Sequence, residues 1–374
     1  MTRIRLGMVG GGNDAFIGGV HRIASRIDDR FELMAGALSS TPEKSRASGE
    51  ALNLPRVYDD FKQMAIREAR LKNGIEAVSI VTPNHVHYAA AREFLKRGIH
   101  VICDKPLTST LADAKKLVKA AESSDALFIL THNYTGYPMI RQARAMIAAG
   151  DIGNIRVVQA EYPQDWLTTE QDFKQAEWRT DPARSGAGGS TGDIGTHAFN
   201  LACFVTGLEP DSLAADLDAF VPGRQVDDNA HVMLRFKGGA KGMLWSSQVA
   251  PGNENALKIR LYGDKGGLEW AQEDPNYLWF TPFGQPKQLI TRNGAGAGDA
   301  AARLSRVPPG HPEGYLEGFA NIYSEAAEAI TARRDGKEPG PDVVYPTILD
   351  GLRGVQFVDA CVRSSARNAA WISL

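Results

Sequence analysis

The stretch Leu6-Gly7-Met8-Val9-Gly10-Gly11-Gly12-Asn13-Asp14-Ala15 is a short apolar run that ends in three glycines. A buried strand followed by glycines lets the backbone turn sharply and approach a pyrophosphate, whose charge the next helix N-terminus stabilises. Working outward, the alternation continues. Residues 20–27 read as a helix, 31–38 as a second strand, 42–52 as a helix, 77–81 as a third strand, and 87–97 as a helix closed by Gly98. A fourth strand at 101–103, a helix at 111–123 and a fifth strand at 127–130 complete the series. Strands that are apolar throughout, joined by amphipathic helices, imply a parallel sheet covered on both faces. Right-handed crossovers then give a Rossmann-like, doubly wound domain over residues 1–128.

After Gly150 the texture changes. Residues 155–162, 229–236, 241–248 and 257–262 read as strands without intervening helices, and Lys237-Gly238-Gly239-Ala240 as a hairpin. This predicts an α+β domain over residues 129–374 with a large, mostly antiparallel open sheet, so the fold class is α/β followed by α+β. Helices at 314–334 and 343–363 are expected to pack back on the body, and the Gly/Ala-rich residues 293–299 to form a mobile loop.

The chain has 374 residues, enough for two cores, and a formal charge of -2 that predicts no grip on nucleic acid or anionic membrane. No apolar run reaches the roughly 18 residues of a membrane span. The first ten residues read as a strand and not as a signal peptide. Three scattered cysteines (Cys103, Cys203, Cys361) give neither a disulfide framework nor zinc spacing. The cytoplasm is the expected compartment.

The glycine turn fits G-x-G-x-x-A through Gly10, Gly12 and Ala15, or uses Gly18 as its third small residue after a short insertion. Asn13, Phe16 and Ile17 complete the cofactor-binding candidates there. At the end of the second strand, where a carboxylate would bind ribose hydroxyls and repel a 2′-phosphate, stand Ser39 and Ser40, with Lys44 downstream. The serines either contact the ribose or form a turn capping the next helix, so NAD is expected without NADP being excluded.

Val81-Thr82-Pro83-Asn84-His85-Val86-His87 follows the third strand, where open α/β sheets bind ligands; Thr82, Pro83, Asn84 and His87 are cofactor candidates. His85 and His87 lack a nearby third ligand, so a structural loop is read in place of a metal site, and no metal is expected. Asp104-Lys105-Pro106 follows the fourth strand. A lysine there projects toward the cofactor cleft, and its ammonium can hold and polarise a substrate hydroxyl. In Gly192-Asp193-Ile194-Gly195-Thr196-His197 the acid and the imidazole are four apart and share a face of a helical turn. The carboxylate can fix the tautomer of a histidine that accepts a hydroxyl proton. Tyr137, Gln164, Trp166, Arg179 and His311 supply polar and aromatic chemistry for a polyol, alternatives being interface filling for the tryptophans and a surface ion pair for Arg179.

Together these motifs resemble the Gfo/Idh/MocA oxidoreductase family over nearly the whole chain. The resemblance is carried by the glycine turn with His21 three residues after Gly18, by the segments at Thr82–His87 and Asp104–Pro106, by Ala148-Ala149-Gly150-Asp151-Ile152-Gly153, and by Asp193 and His197. Two departures stand out: Asp104 replaces the usual glutamate, and the acid ending the second strand is missing. The resemblance implies that Lys105 binds and polarises the reacting hydroxyl, that His197 is the acid/base, and that Asp193 orients it or holds a neighbouring hydroxyl. Residues 133–138, 178–182 and 311–315 are similar to a subgroup that oxidises inositols and pyranoses with NAD. A homo-oligomer, tetramer or dimer, is implied too, with His311 completing a neighbouring subunit's pocket. An NAD-dependent glycoside hydrolase and a non-catalytic sugar sensor are the other outcomes this fold allows.

Overall fold

The computed structural model describes residues 2–13, 15–172 and 174–374; the Asp14 of the quoted glycine stretch lies outside them. The chain divides into two compact units, Met1–Asn133 with Tyr315–Leu352, and Tyr134–Gly314 with Arg353–Leu374.

In the first unit the elements run β1 (Ile4–Gly10), α1 (Phe16–Ile27), β2 (Phe31–Ala37), α2 (Pro42–Ala51), β3 (Arg56–Val57), α3 (Phe61–Glu68), β4 (Ala77–Val81), α4 (Asn84–Leu95), β5 (His100–Cys103), α5 (Leu111–Glu122) and β6 (Phe128–Leu130). Among the described residues the strands form one parallel sheet in the order β3-β2-β1-β4-β5-β6. This order reverses direction between β1 and β4, so a crevice opens at their carboxyl ends. Both helices flanking that crevice begin earlier than their periodicity suggested: α1 at Phe16 and α4 at Asn84. Their first turns are polar or glycine-bearing, which hides them from a hydrophobic pattern. The short β3 and α3 were not anticipated; Asp60 starts α3 by accepting from the N–H groups of Lys62 (2.8 Å) and Gln63 (2.9 Å).

The second unit contains α6 (Pro138–Ala149), β7 (Ile155–Pro163), α7 (Lys174–Arg179), α8 (Pro182–Ser185), α9 (Thr196–Thr206), β8 (Pro210–Asp218), β9 (Asn229–Phe236), β10 (Lys241–Ser247), β11 (Lys258–Gly263), β12 (Gly266–Ala271), β13 (Tyr277–Pro282), β14 (Gln288–Thr291) and α10 (Asp299–Ala302). Its described strands form a sheet ordered β14-β13-β12-β11-β7-β10-β9-β8-β15, where β15 is Ile372–Ser373. Neighbours are antiparallel except β7 with β10, so the sheet is mixed and mostly antiparallel as expected. Strict alternation along β9 buries Val232 and Leu234 while exposing Met233. The residues expected to form a mobile loop, 293–299, are tied down by Asn293 Nδ2 to Val307 O (3.1 Å) and by Gly298 N–H to Gln142 Oε1 (2.7 Å).

Of the last two helices, α11 (Tyr315–Arg334) belongs to the first unit. Its Phe319, Ile322, Tyr323, Ala326 and Ile330 share a buried cluster with Leu6, Val20, Phe31, Ala77, Ile102 and Ile129. The helix expected from residue 343 starts only at α12 (Ile348–Ser365), because Pro346 and its neighbours are extended and seal the β6 edge, Leu130 N–H donating to Pro346 O at 2.9 Å.

Candidate active site

The first unit carries a glycine cradle and a lysine. Gly10 and Gly11 have φ of +78° and +72°, and a Cβ on Gly18 would lie 2.4 Å from Gly11 Cα, so α1 packs directly on the glycine turn. Ala15 precedes α1 without a side-chain cap, and the first turn, with Phe16 and Ile17, contains no acid. Its N–H groups are thus disposed toward an anion. Asn13 N–H is held by Ser48 Oγ at 3.0 Å. Thr82 Oγ1, after β4, is buried without a hydrogen-bond partner. A glycine turn in close contact with a helix, an uncapped N-terminus and an orphaned hydroxyl fit a dinucleotide. At the ribose end Ser39 Oγ accepts from Thr41 N–H (3.2 Å), so it forms the local turn, while Ser40 and Lys44 are exposed. Arg46 is occupied by Glu43 (3.2 Å) and Asp59 (2.5 Å).

Lys105 is half-buried after β5, and its bond to Pro106 is cis. Asp104 beside it is fixed by Thr131 Oγ1 (3.0 Å), while His21 Nε2 stands 3.8 Å away, at ion-pair but not hydrogen-bond distance. Burial pulls the Asp104 carboxyl up, but His21, Lys105 and His87 outweigh it and hold it below the usual carboxylate range. His87 is fully buried, its Nδ1 2.8 Å from Pro106 O and its Nε2 2.9 Å from Thr82 O. It therefore stands between the loop after β4 and the loop carrying Lys105, and as a neutral ring it donates to one of the two carbonyls at a time. Burial holds this imidazole below its ordinary pKa. His132, which follows β6 and was not singled out in the sequence, is pushed down to about 4 by burial, with Asp350 opposing and the Lys105 ammonium adding to the fall. Its place after a buried strand is the same signal that marks Lys105. Among the described residues no group of three or more His, Cys, Asp or Glu is disposed to hold a metal ion.

The second unit carries the acid and the imidazole. A π-helical turn over Thr191–Gly195 runs into α9, so Asp193 and His197 occupy one continuous helical segment. Asp193 Oδ2 accepts from Arg179 Nε (3.2 Å) and Gln248 Nε2 (3.0 Å), and the Arg179 guanidinium lies 4.4 Å from the Trp178 ring. Arg179 is thus an ion-pair partner of Asp193 itself. His197 is buried against the edges of Tyr134 (4.8 Å between centroids) and Tyr162 (6.2 Å). Tyr134 and Tyr162 hydroxyls meet at 2.5 Å, and Tyr162 donates to Asn255 Oδ1 at 2.7 Å. Gln164 Nε2 donates to the same oxygen (2.8 Å) and receives Trp166 Nε1–H on Oε1 (2.9 Å). Asn255 Nδ2 donates to Gln272, whose amide donates to Tyr137 OH at 3.3 Å. Burial pushes the Tyr134 phenol up; Tyr162 and Asn255 oppose it, and the Asp193 charge adds to the rise. Tyr137, Gln164 and Trp166 therefore belong to one network with the wall of His197. Gln248, Asn255 and Gln272 escaped sequence reading because no motif marks an isolated amide.

His311 is exposed on a separate loop that is rigidly built. The buried Arg292 pairs with Glu313 at 3.0 Å and donates to the carbonyls of Val307, Pro308 and His311.

Residues 4–132 match the profile of an oxidoreductase family with an NAD-binding Rossmann fold, and residues 140–269 match the GFO/IDH/MocA C-terminal domain. The uncharacterized oxidoreductase YfiI of Bacillus subtilis is 35% identical, the alignment covering 99% of this chain and 96% of that protein. Among solved structures, an oxidoreductase from Sinorhizobium meliloti is 71% identical with a TM-score of 0.93, covering 100% of both chains. An inositol dehydrogenase homolog from Azotobacter vinelandii, complexed with NADH and myo-inositol, is 36% identical with a TM-score of 0.94, covering 100% of this chain and 98% of that one.

Proposed function

This chain belongs to the Gfo/Idh/MocA family of NAD-dependent oxidoreductases, and from that premise we propose that it dehydrogenates a ring hydroxyl of an inositol or a pyranose sugar. The observation that carries the reading is Lys105 at the carboxyl end of β5, on the same sheet as a glycine turn fit for a dinucleotide. The myo-inositol bound by the Azotobacter homolog supports the substrate class. Lys105 holds and polarises the reacting hydroxyl; His197 receives its proton; Asp193, itself steadied by Arg179 and Gln248, orients the imidazole. When bound, the nicotinamide supplies the acceptor for the hydrogen that leaves the same carbon with its electron pair. Gly10, Gly12, Asn13, Ala15, Phe16, Ile17, Ser39, Ser40, Lys44, Thr82, Pro83, Asn84, His87 and Asp104 form the cofactor side of this reading. Gln164, Trp166 and Arg179 read the other hydroxyls, with Tyr137 acting through Gln272.

The test is a panel of inositols and aldoses with NAD and with NADP, followed by absorbance of the reduced cofactor. At least one ring polyol should reduce NAD; release of nitrophenol from a nitrophenyl glycoside with no net cofactor reduction would replace the dehydrogenase by a hydrolase.

The chain acts as a homo-oligomer in this reading, and the outer face of the larger sheet supports it. Met233 and Met243, paired across β9 and β10, and Trp279 and Leu289, paired across β13 and β14, are 40–59% exposed on that face. His311, on its strapped loop, then completes a neighbour's pocket. His311→Ala is expected to raise KM for the polyol more than it lowers kcat, and an unchanged KM removes His311 from the site. This reading places the protein in the cytoplasm. No described helix is long and apolar enough to cross a membrane.

A further inference from the structure

The segment that carries Asp193 and His197 starts on a buried carboxylate far away in sequence. Asp227 Oδ1 accepts from Gly189 N–H (2.7 Å), and its Oδ2 accepts from Thr191 N–H (2.8 Å), Thr191 Oγ1 (2.6 Å) and Ser190 Oγ (3.0 Å). Its backbone carbonyl receives Ser190 N–H at 2.8 Å. A Cβ on Gly189 would lie 2.0 Å from that same carbonyl, so no other residue fits the approach. The next residue, Asp228, is linked to Asp193 through Gln248. Asp228 O accepts Gln248 N–H (2.8 Å), and Gln248 Nε2 donates to Asp193 Oδ2 (3.0 Å). Asp228 is itself immobilised by the N–H groups of Phe220 (2.9 Å) and Val221 (3.0 Å), with Arg224 at 3.7 Å.

A carboxylate with four donors is more than a fold needs to begin one helical turn. We propose that Asp227 is a positioning residue for the reaction: it anchors the Gly189–Ser190–Thr191 entry of the helix and thereby fixes where Asp193 stands relative to His197. Asp228, through Gln248, steadies the same Asp193 carboxylate. This rests on the dehydrogenase reading for its kinetic consequence but on the hydrogen bonds above for its geometry.

Asp227→Asn keeps the shape but can accept on one atom only, turning an N–H toward a Gly189 N–H. Asp193 lies on the same helical segment as His197, the phenol rings of Tyr134 and Tyr162 pack against the imidazole, and the Asp193 charge reaches Tyr134. A displaced Asp193 stabilises the imidazolium less, so the acid limb of the kcat/KM profile should move to lower pH while kcat/KM falls by about 10- to 100-fold. A smaller folded fraction would scale the profile without moving it. Thr191→Val, which removes one hydroxyl donor, should shift the limb the same way by less, and it decides the matter if Asp227→Asn does not fold. An unmoved limb in the folded variants overturns the proposal. If the wild-type protein oxidises no polyol of the panel, the dehydrogenase reading fails by itself. The anchor is then judged by NMR titration of His197 in wild type and Thr191→Val, where equal midpoints sink it.

Discussion

Lys105→Ala is expected to lower kcat by about three orders of magnitude or more while NAD affinity stays within a few-fold of wild type. The magnitude follows from losing two effects at once, the fixed cation that polarises the reacting hydroxyl and the hydrogen bond that orients it. The cofactor side should be spared because α1 packs directly on the glycine turn at Gly11 and His87 borders the loop after β4 at Thr82 O. Lys105→Arg is informative beside it. A planar guanidinium keeps the charge but cannot occupy the ammonium's position, so it should recover little. Cofactor fluorescence titration and steady-state kinetics on the same preparations provide the check. A variant that turns over at a tenth of the wild-type rate would mean that Lys105 is a bystander.

His197→Ala should cost about 10²- to 10⁴-fold in kcat at neutral pH, the range that a positioned acid/base contributes. Without the imidazole, the hydroxyl proton must leave to solvent. The rate of the variant should therefore climb with hydroxide concentration across pH 8 to 10, where the wild-type rate is flat, and added imidazole should restore part of it. A pH profile parallel to that of wild type would show that another group takes the proton. The tight wall around His197, Tyr134 and Tyr162 joined at 2.5 Å, makes alanine the safe choice, since a larger replacement would have no room.

The parallel sheet was legible because its strands are apolar from end to end and its turns are punctuated by glycine, which leaves one economical topology. The position of Lys105 was legible for the same reason: it follows an apolar strand, at the carboxyl edge of the sheet. What the sequence hid is of two kinds. Helix starts at Phe16 and Asn84 were read late because the first turn of one carries Gly18 and that of the other is mostly polar. The supports of Asp193 were hidden by separation: Arg179 lies 14 residues away and Gln248 lies 55. Neither residue type announces a partner, so Arg179 read as a substrate contact in preference to a surface ion pair, and its pairing with Asp193 needed coordinates. His87 read as a cofactor neighbour, and only the structure shows its two nitrogens engaged by Thr82 O and Pro106 O.

The return of α11 to the first unit bears on how the protein is made. The ribosome delivers β1 through β6 early, yet the cluster over Leu6, Phe31 and Ile102 is closed only by Phe319, Ile322 and Tyr323. Truncating one such aromatic in a core costs about 3–5 kcal/mol, and a nascent chain paused near residue 200 lacks all of them. The nucleotide unit is thus begun first and finished last. Until translation has passed the end of α11, its greasy flank is open to chaperones, and severing the gene between the two family modules would strand that flank permanently.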